Sequence, residues 1–273
     1  MKSLVRLGIT LGLVSSTLLT AVSAGISPAL ALPEEEIVKA LDTVPVFLIT
    51  NGQGLPLSRP LNNGQNGQNA QGAGSVAGVY MSRQEAQAFI NELRNAKGKD
   101  QKMEQLVNSL QVTAVPLGKI YDQLRRTANE KNRLVFAFKP LESEVKGALE
   151  LLRKTDPKIS QFPGVPIFIV RFGPKKNYVP IKLPSANSEI IPLFFSKEDA
   201  LGLLKQVKPK YPEADVQVVD VDGIIQTLKQ NNDPWLNQVV LVPSKEAREY
   251  IRTLPANSAN PGKPPANQPP KKR

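Results

Sequence analysis

One stretch of this chain occurs twice. Val44-Pro45-Val46-Phe47-Leu48-Ile49-Thr50 returns as Val165-Pro166-Ile167-Phe168-Ile169-Val170-Arg171. An apolar run of this length reads as a buried strand and is too short for an ordinary helix. Its recurrence constrains the fold more than any composition does, because it points to two copies of one unit. The residues that follow each copy agree. Val79-Tyr80-Met81 and Leu193-Phe194-Phe195 read as short strands running into Ser82 and Ser196. Glu85 and Asp199, three residues further on, complete the capping-box pattern that starts a helix. Ala86, Phe89, Ile90, Leu93 and Ala200, Leu203, Leu204, Val207 then form matching apolar stripes at helical spacing, offset by 114 from Ala86 to Ala200.

The match continues. Val112–Val115 and Val216–Val219 read as strands, and Leu117, Ile120, Tyr121, Leu124 align with Val221, Ile224, Ile225, Leu228. Leu134–Phe138 and Gln238–Val242 read as strands that end at Pro140 and Pro243, where proline is tolerated near a helix start. A last pair of stripes is Val145, Ala148, Leu149, Leu152 and Ala247, Tyr250, Ile251, Leu254. Three stripes agreeing in order indicate an internal duplication. Lys102–Leu110 adds a short helix that the second half replaces with Lys208-Pro209-Lys210-Tyr211-Pro212. The expected fold class is α/β: two pseudo-symmetric half-repeats of β-β-α-β-α-β-α around a central sheet, built as one continuous sheet or as two. The expected segments are a signal peptide at 1–31, a first half-repeat at 32–157, a second at 158–254 and a tail at 255–273.

Both ends read as non-core. Lys2 and Arg6 lead an apolar run, Leu7–Ala21, and Ala29-Leu30-Ala31 supplies small residues for cleavage after Ala31. The run falls short of the roughly 20 apolar residues that span a bilayer, so the expected reading is export rather than anchoring. From Pro255 the chain is Pro-, Asn- and Lys-rich and is expected to be a disordered tail. Leader and tail together carry six cations, leaving +5 of the +11 formal charge on Leu32–Leu254. Nucleic-acid binding would require a basic stripe interleaved with aromatics. Arg125-Arg126 and Lys175-Lys176 are isolated pairs, read as solvated faces, so no nucleic-acid partner is expected, and membrane contact is at most peripheral through the tail. The polar run Asn62–Asn69 reads as an exposed loop; it lacks the Gly-Lys-Ser/Thr of a phosphate cradle.

The chain has neither cysteine nor histidine. That removes thiol nucleophiles, Cys/His metal sites and imidazole acid–base chemistry. No cofactor, metal or catalytic residue is expected. Asp220 and Asp222 form the one carboxylate pair of interest, but Asp222 opens a helix, where a carboxylate ordinarily caps. Ser196-Lys197 and Ser244-Lys245 are adjacent on helices and do not face each other. Trp235 reads as a plug over the core and Tyr178 as a strand residue.

Val44–Asn51, Gly78-Val79-Tyr80-Met81-Ser82, Val112–Leu117 and Val165–Val170 together resemble the twenty-two-kilodalton component family of the chloroplast inner-envelope translocon. The likeness runs over about Glu34–Leu254, and the bacterial-type leader points to the cyanobacterial branch. The resemblance implies a non-enzymatic protein of symmetric α/β fold with apolar pockets on either side of a central sheet. It further implies a periplasmic chaperone or carrier for unfolded or precursor polypeptides, linked to outer-membrane biogenesis and to a barrel-assembly protein as partner. The Asn62–Gly74 loop and the basic tail depart from a minimal member. The thylakoid lumen and the envelope intermembrane space are alternative compartments. A carboxylate-dependent envelope hydrolase and a small apolar-ligand binder remain alternative functions. For a polypeptide-binding surface the candidates are Val46, Leu48, Ile167 and Ile169: the repeated strand is apolar on both faces, so one face can pack on helices while the other lines a pocket.

Overall fold

A computed structural model describes residues 32–61, 74–96, 98, 100–182, 188–230 and 233–254. The expected leader and tail, and the loop from Asn62 to residue 73, lie outside them. The first half comprises α1 (Glu34–Leu41), β1 (Pro45–Thr50), β2 (Ser58–Pro60), β3 (Ser75–Tyr80), α2 (Arg83–Asn95), α3 (Gln101–Ser109), β4 (Gln111–Pro116), α4 (Leu117–Arg126), β5 (Leu134–Lys139) and α5 (Glu142–Leu152). The second comprises β6 (Pro166–Phe172), β7 (Asn177–Tyr178), β8 (Ile181–Lys182), β9 (Glu189–Phe194), α6 (Lys197–Val207), β10 (Asp215–Asp220), α7 (Val221–Gln230), a 3₁₀ turn (Pro234–Gln238), β11 (Val239–Val242) and α8 (Lys245–Thr253). No described helix is long and apolar enough to cross a membrane.

The strands form two mixed sheets. One runs β2-β3-β1-β4 with β5 also on β3; the other runs β10-β6-β9-β11 with β7 on β6 and β8 on β9. Among the described residues the two repeated strands do not meet in a single central sheet, because the edges of both are occupied. β1 is flanked by β3 and β4, and β6 by β9 and β10, so neither repeated strand has a free edge for the other. The registers correspond across the sheets. Phe47 faces Tyr80 as Phe168 faces Phe194, and both pairs are antiparallel. Tyr80 faces Lys139 as Phe194 faces Val242, both parallel.

Alternation along the repeated strands feeds three cores, because successive side chains leave a strand on opposite faces. Val46 and Leu48 of β1, and Ile167 and Ile169 of β6, point into one central core closed by α1, α4 and α7. Phe47 and Ile49 point outward to α2, joined by Tyr250 of α8. Phe168 and Val170 point outward to α6, joined by Ala148 and Leu151 of α5. The last helix of each half therefore covers the sheet of the other. The Phe47 and Tyr250 rings meet edge to face, 5.4 Å apart. The stripes of α2 and α8 are narrower than their spacing implies: Ala86 and Ile90 are buried, whereas Phe89, Ile251 and Leu254 remain exposed.

Hydrogen bonds fasten the same exchange. Ser82, Ser196 and Ser244 cap α2, α6 and α8 by accepting from the amides of Glu85, Asp199 and Ala247 at 3.1, 3.3 and 3.3 Å. The acidic residues of the two capping boxes turn elsewhere. The Glu85 carboxylate accepts from the Glu142 amide of α5 at 3.3 Å, and Asp199 receives the Arg248 guanidinium of α8 at 2.7 Å. In return, Glu144 of α5 accepts from the Lys197 amide of α6 at 2.8 Å, and Glu246 of α8 from the Gln84 amide of α2 at 3.0 Å. Helix starts hold unpaired N–H groups and a partial positive charge, so a carboxylate from a neighbouring helix satisfies both.

Candidate functional site

The four sequence candidates lie deep in the central core. Val46 and Ile167 are fully buried, and Leu48 and Ile169 nearly so. The layer of α1, α4 and α7 closes over them, so in this arrangement they meet other core side chains rather than solvent. The residues just before them, Val44-Pro45 and Val165-Pro166, line one shared cavity with Met81 and Phe195. That cavity holds only about 10 Å³, room for no more than a water.

Among the described residues, larger open space lies in two grooves that these side chains do not line. The first, of about 440 Å³, runs between α4 and α7. Leu117, Leu124, Ala128, Phe138 and Ile225 give it apolar walls, and Arg125, Asp222, Gln226 and Lys229 rim it. Helical spacing explains the walls: Leu117, Tyr121 and Leu124 share one face of α4, and Ile225 stands on the facing side of α7. The first turn of α1 is tied to this groove. The Tyr121 hydroxyl donates to Glu34 at 2.5 Å, and Lys229 lies 3.6 Å from the same carboxylate. Burial, then the bond to Glu34, push the Tyr121 hydroxyl well above its ordinary pKa, so it remains a donor across the physiological range.

The second groove, of about 350 Å³, lies on the outer face of the second sheet. Leu151, Leu201, Leu204, Val216 and Val218 form its apolar part, and Lys154, Arg171 and Lys208 stand around it. Arg171 grips Asp215 through two bonds of 3.0 Å, and Lys176 approaches the same carboxylate at 3.0 Å. Burial opposes ionisation of Asp215, but the two cations outweigh it and hold its pKa below the usual range.

Asp220 and Asp222 take different roles from those their positions suggest. Asp220, not Asp222, caps α7, by accepting from the Gly223 amide. Asp222 sits at the rim of the first groove, where desolvation, then the Asp220 charge, raise its carboxyl. Tyr178 lies in β7 and meets Trp235 edge to face at 4.9 Å, both against the central core, as a strand residue and a core plug would. Among the described residues no cluster of acidic side chains suits a metal ion. Neither groove was evident from the sequence, because each is assembled from segments far apart in the chain. The available signal was the outward-facing half of the α4, α6 and α7 stripes.

Residues 2–253 match the Tic22-like family. Among solved structures the chain is similar to Tic22 of Anabaena, described as a protein-transport protein, with 61% identity and a TM-score of 0.77 over 86% of this chain and 100% of that one. It is also similar in fold to Tic22 from Plasmodium falciparum, at 19% identity and a TM-score of 0.57, covering 84% of this chain and 99% of that one. Comparison with curated proteins gives no match.

Proposed function

Since the chain belongs to the Tic22-like family, we propose that it is a non-enzymatic carrier in protein transport that holds unfolded or precursor polypeptides on apolar grooves. The groove between α4 and α7 carries this reading. Its volume of about 440 Å³ lies within the range of ligand-binding clefts, and its apolar walls open to solvent behind a charged rim. Such a surface holds apolar side chains without an energy source. The commitment of Asp220 to the start of α7 weighs against a carboxylate-dependent hydrolase.

Three further parts of the proposal rest on the sequence and on matching geometry. The leader pattern of residues 1–31 supports export, with the periplasm as the compartment. Outer-membrane biogenesis, with a barrel-assembly protein as partner, follows from the family resemblance. Duplication of one unit, with half-repeats at 32–157 and 158–254, is supported by the shared strand order and register of the two sheets.

The experiment is suppression of aggregation. The chain should keep a denatured membrane-barrel protein in solution when present in modest excess. Ile225→Glu places a charge in the groove wall at a partly exposed position, and should cut that holding several-fold while the circular dichroism stays unchanged. Full holding by a folded Ile225→Glu protein would remove this groove from the mechanism. Aggregation undiminished by the unaltered chain would remove the carrier function.

A further inference from the structure

The groove on the second sheet differs from the first in one respect: its wall is a strand edge. Ala214, Asp215, Val216, Gln217 and Val218 all line it. Successive side chains of a strand leave on opposite faces, so a cavity touching five consecutive residues touches the backbone edge between the faces. β10 is the end strand of its sheet and pairs only with β6 among the described residues. Its outer edge therefore presents N–H and C=O groups without strand partners. In the first half, α3 leads into the corresponding β4, and its C-cap Leu110 packs on the outer core. Between α6 and β10 there is only a turn, Lys208–Ala214, which leaves the approach open.

The charges around this edge are unbalanced. Arg171 and Lys176 share Asp215, while Lys154, which feels the Glu150 charge only at longer range, and Lys208 form no salt bridge among the described residues. The local charge is net positive beside an apolar floor of Leu151, Leu201 and Leu204. We propose that this groove takes an extended polypeptide segment that adds as a strand to the outer edge of β10, seats an apolar side chain on that floor and sets an acidic side chain against Lys154 and Lys208. The proposal rests on the carrier reading and names what one of its grooves selects. Strand addition gives affinity through the main chain and tolerates varied sequences. The two lysines add a preference for acidic segments, and the preference weakens with salt.

The test is fluorescence anisotropy with the full chain and a short labelled peptide that alternates valine with threonine and carries glutamate. The expected result is saturable binding. Binding should fall about threefold to tenfold, as two exposed ion pairs allow, either with the glutamine version of the peptide or with K154A/K208A. It should be lost with a peptide N-methylated at alternate amides, which keeps every side chain but removes the donors along one edge. Leu201→Glu, at a partly exposed position, should also abolish it without unfolding the chain. Equal binding of the N-methylated peptide overturns strand addition, and equal binding of the glutamine peptide overturns the acidic preference. Displacement of the peptide by oleate, with no effect of N-methylation, assigns the groove to a small amphiphile instead. If the chain still holds a denatured barrel protein while K154A/K208A and Leu201→Glu change nothing, this proposal fails and the carrier reading stands. If it binds no polypeptide in either assay, both fall.

Discussion

At the scale of single residues, two glycines show how contact decides the sign of one substitution. Gly118 lies in the first turn of α4 where α1 crosses; a Cβ there would sit 2.3 Å from the Val38 carbonyl oxygen and 2.4 Å from an Asp42 carboxylate oxygen. Helix propensity favours alanine over glycine by about 1 kcal/mol, but overpacking against backbone costs about 1–3 kcal/mol. Gly118→Ala is expected to lower the denaturant midpoint. Gly202 of α6 has nothing among the described residues within 4 Å of its would-be Cβ, so Gly202→Ala should raise stability by about 0.5–1 kcal/mol in the same urea titration. Asp42 supplies a pH test. One of its carboxylate oxygens is buried without a hydrogen-bond partner among the described residues, and burial raises its pKa in spite of Lys119. A carboxyl that binds its proton more tightly folded than unfolded makes the protein more stable as pH falls through the folded pKa. That gain is complete below the unfolded value of about 3.9. Asp42→Asn should raise stability at neutral pH and remove this increment from the acid side of the stability curve.

At the scale of elements, what was legible followed from period. The strands β1, β4, β6 and β10 and the helices α2 to α8 lie where their alternation and stripes place them, within a few residues. α1 was not legible: eight residues offer only Ile37 and Leu41 as buried positions, and Pro33 supplies no side-chain cap. The number of sheets was not legible either, since a stripe says which face is buried and not against what. The same limit hid the site. The apolar run at Val46–Ile49 is equally compatible with a pocket and with a covering layer, and only the packing of α1, α4 and α7 shows that it is covered. The caps that cross between halves were likewise invisible, because the capping box is read within one helix. Glu144 tests them. Burial raises its pKa although the Lys197 amide and ammonium favour its charged form. Glu144→Ala should cost about 1 kcal/mol as an N-terminal cap is lost. Glu144→Gln keeps an acceptor for the amide without a charge to desolvate, and should match or exceed the parent at neutral pH. A Glu144→Gln midpoint as low as that of Glu144→Ala would mean the charge, not the acceptor, carries the cap.

For the whole molecule, the halves share their cores. The central core takes side chains from both sheets, and each outer core takes a helix from the other half. Unfolding is therefore expected as one calorimetric transition whose van't Hoff and calorimetric enthalpies agree. Residues 32–157 and 158–254 expressed apart should each lack a cooperative transition, and mixing them should restore one; two independent transitions would break the argument. The position of α8 also sets an order in time. A chain made from its N-terminus has all of β1 to β5 long before Tyr250 exists to cover Phe47. The outer face of the first sheet, covered in part by α2, must therefore wait for α8 before Phe47 is closed over. An early-made core is thus closed by a later-made helix, and the first sheet is expected to reach its final packing only once the second half is present.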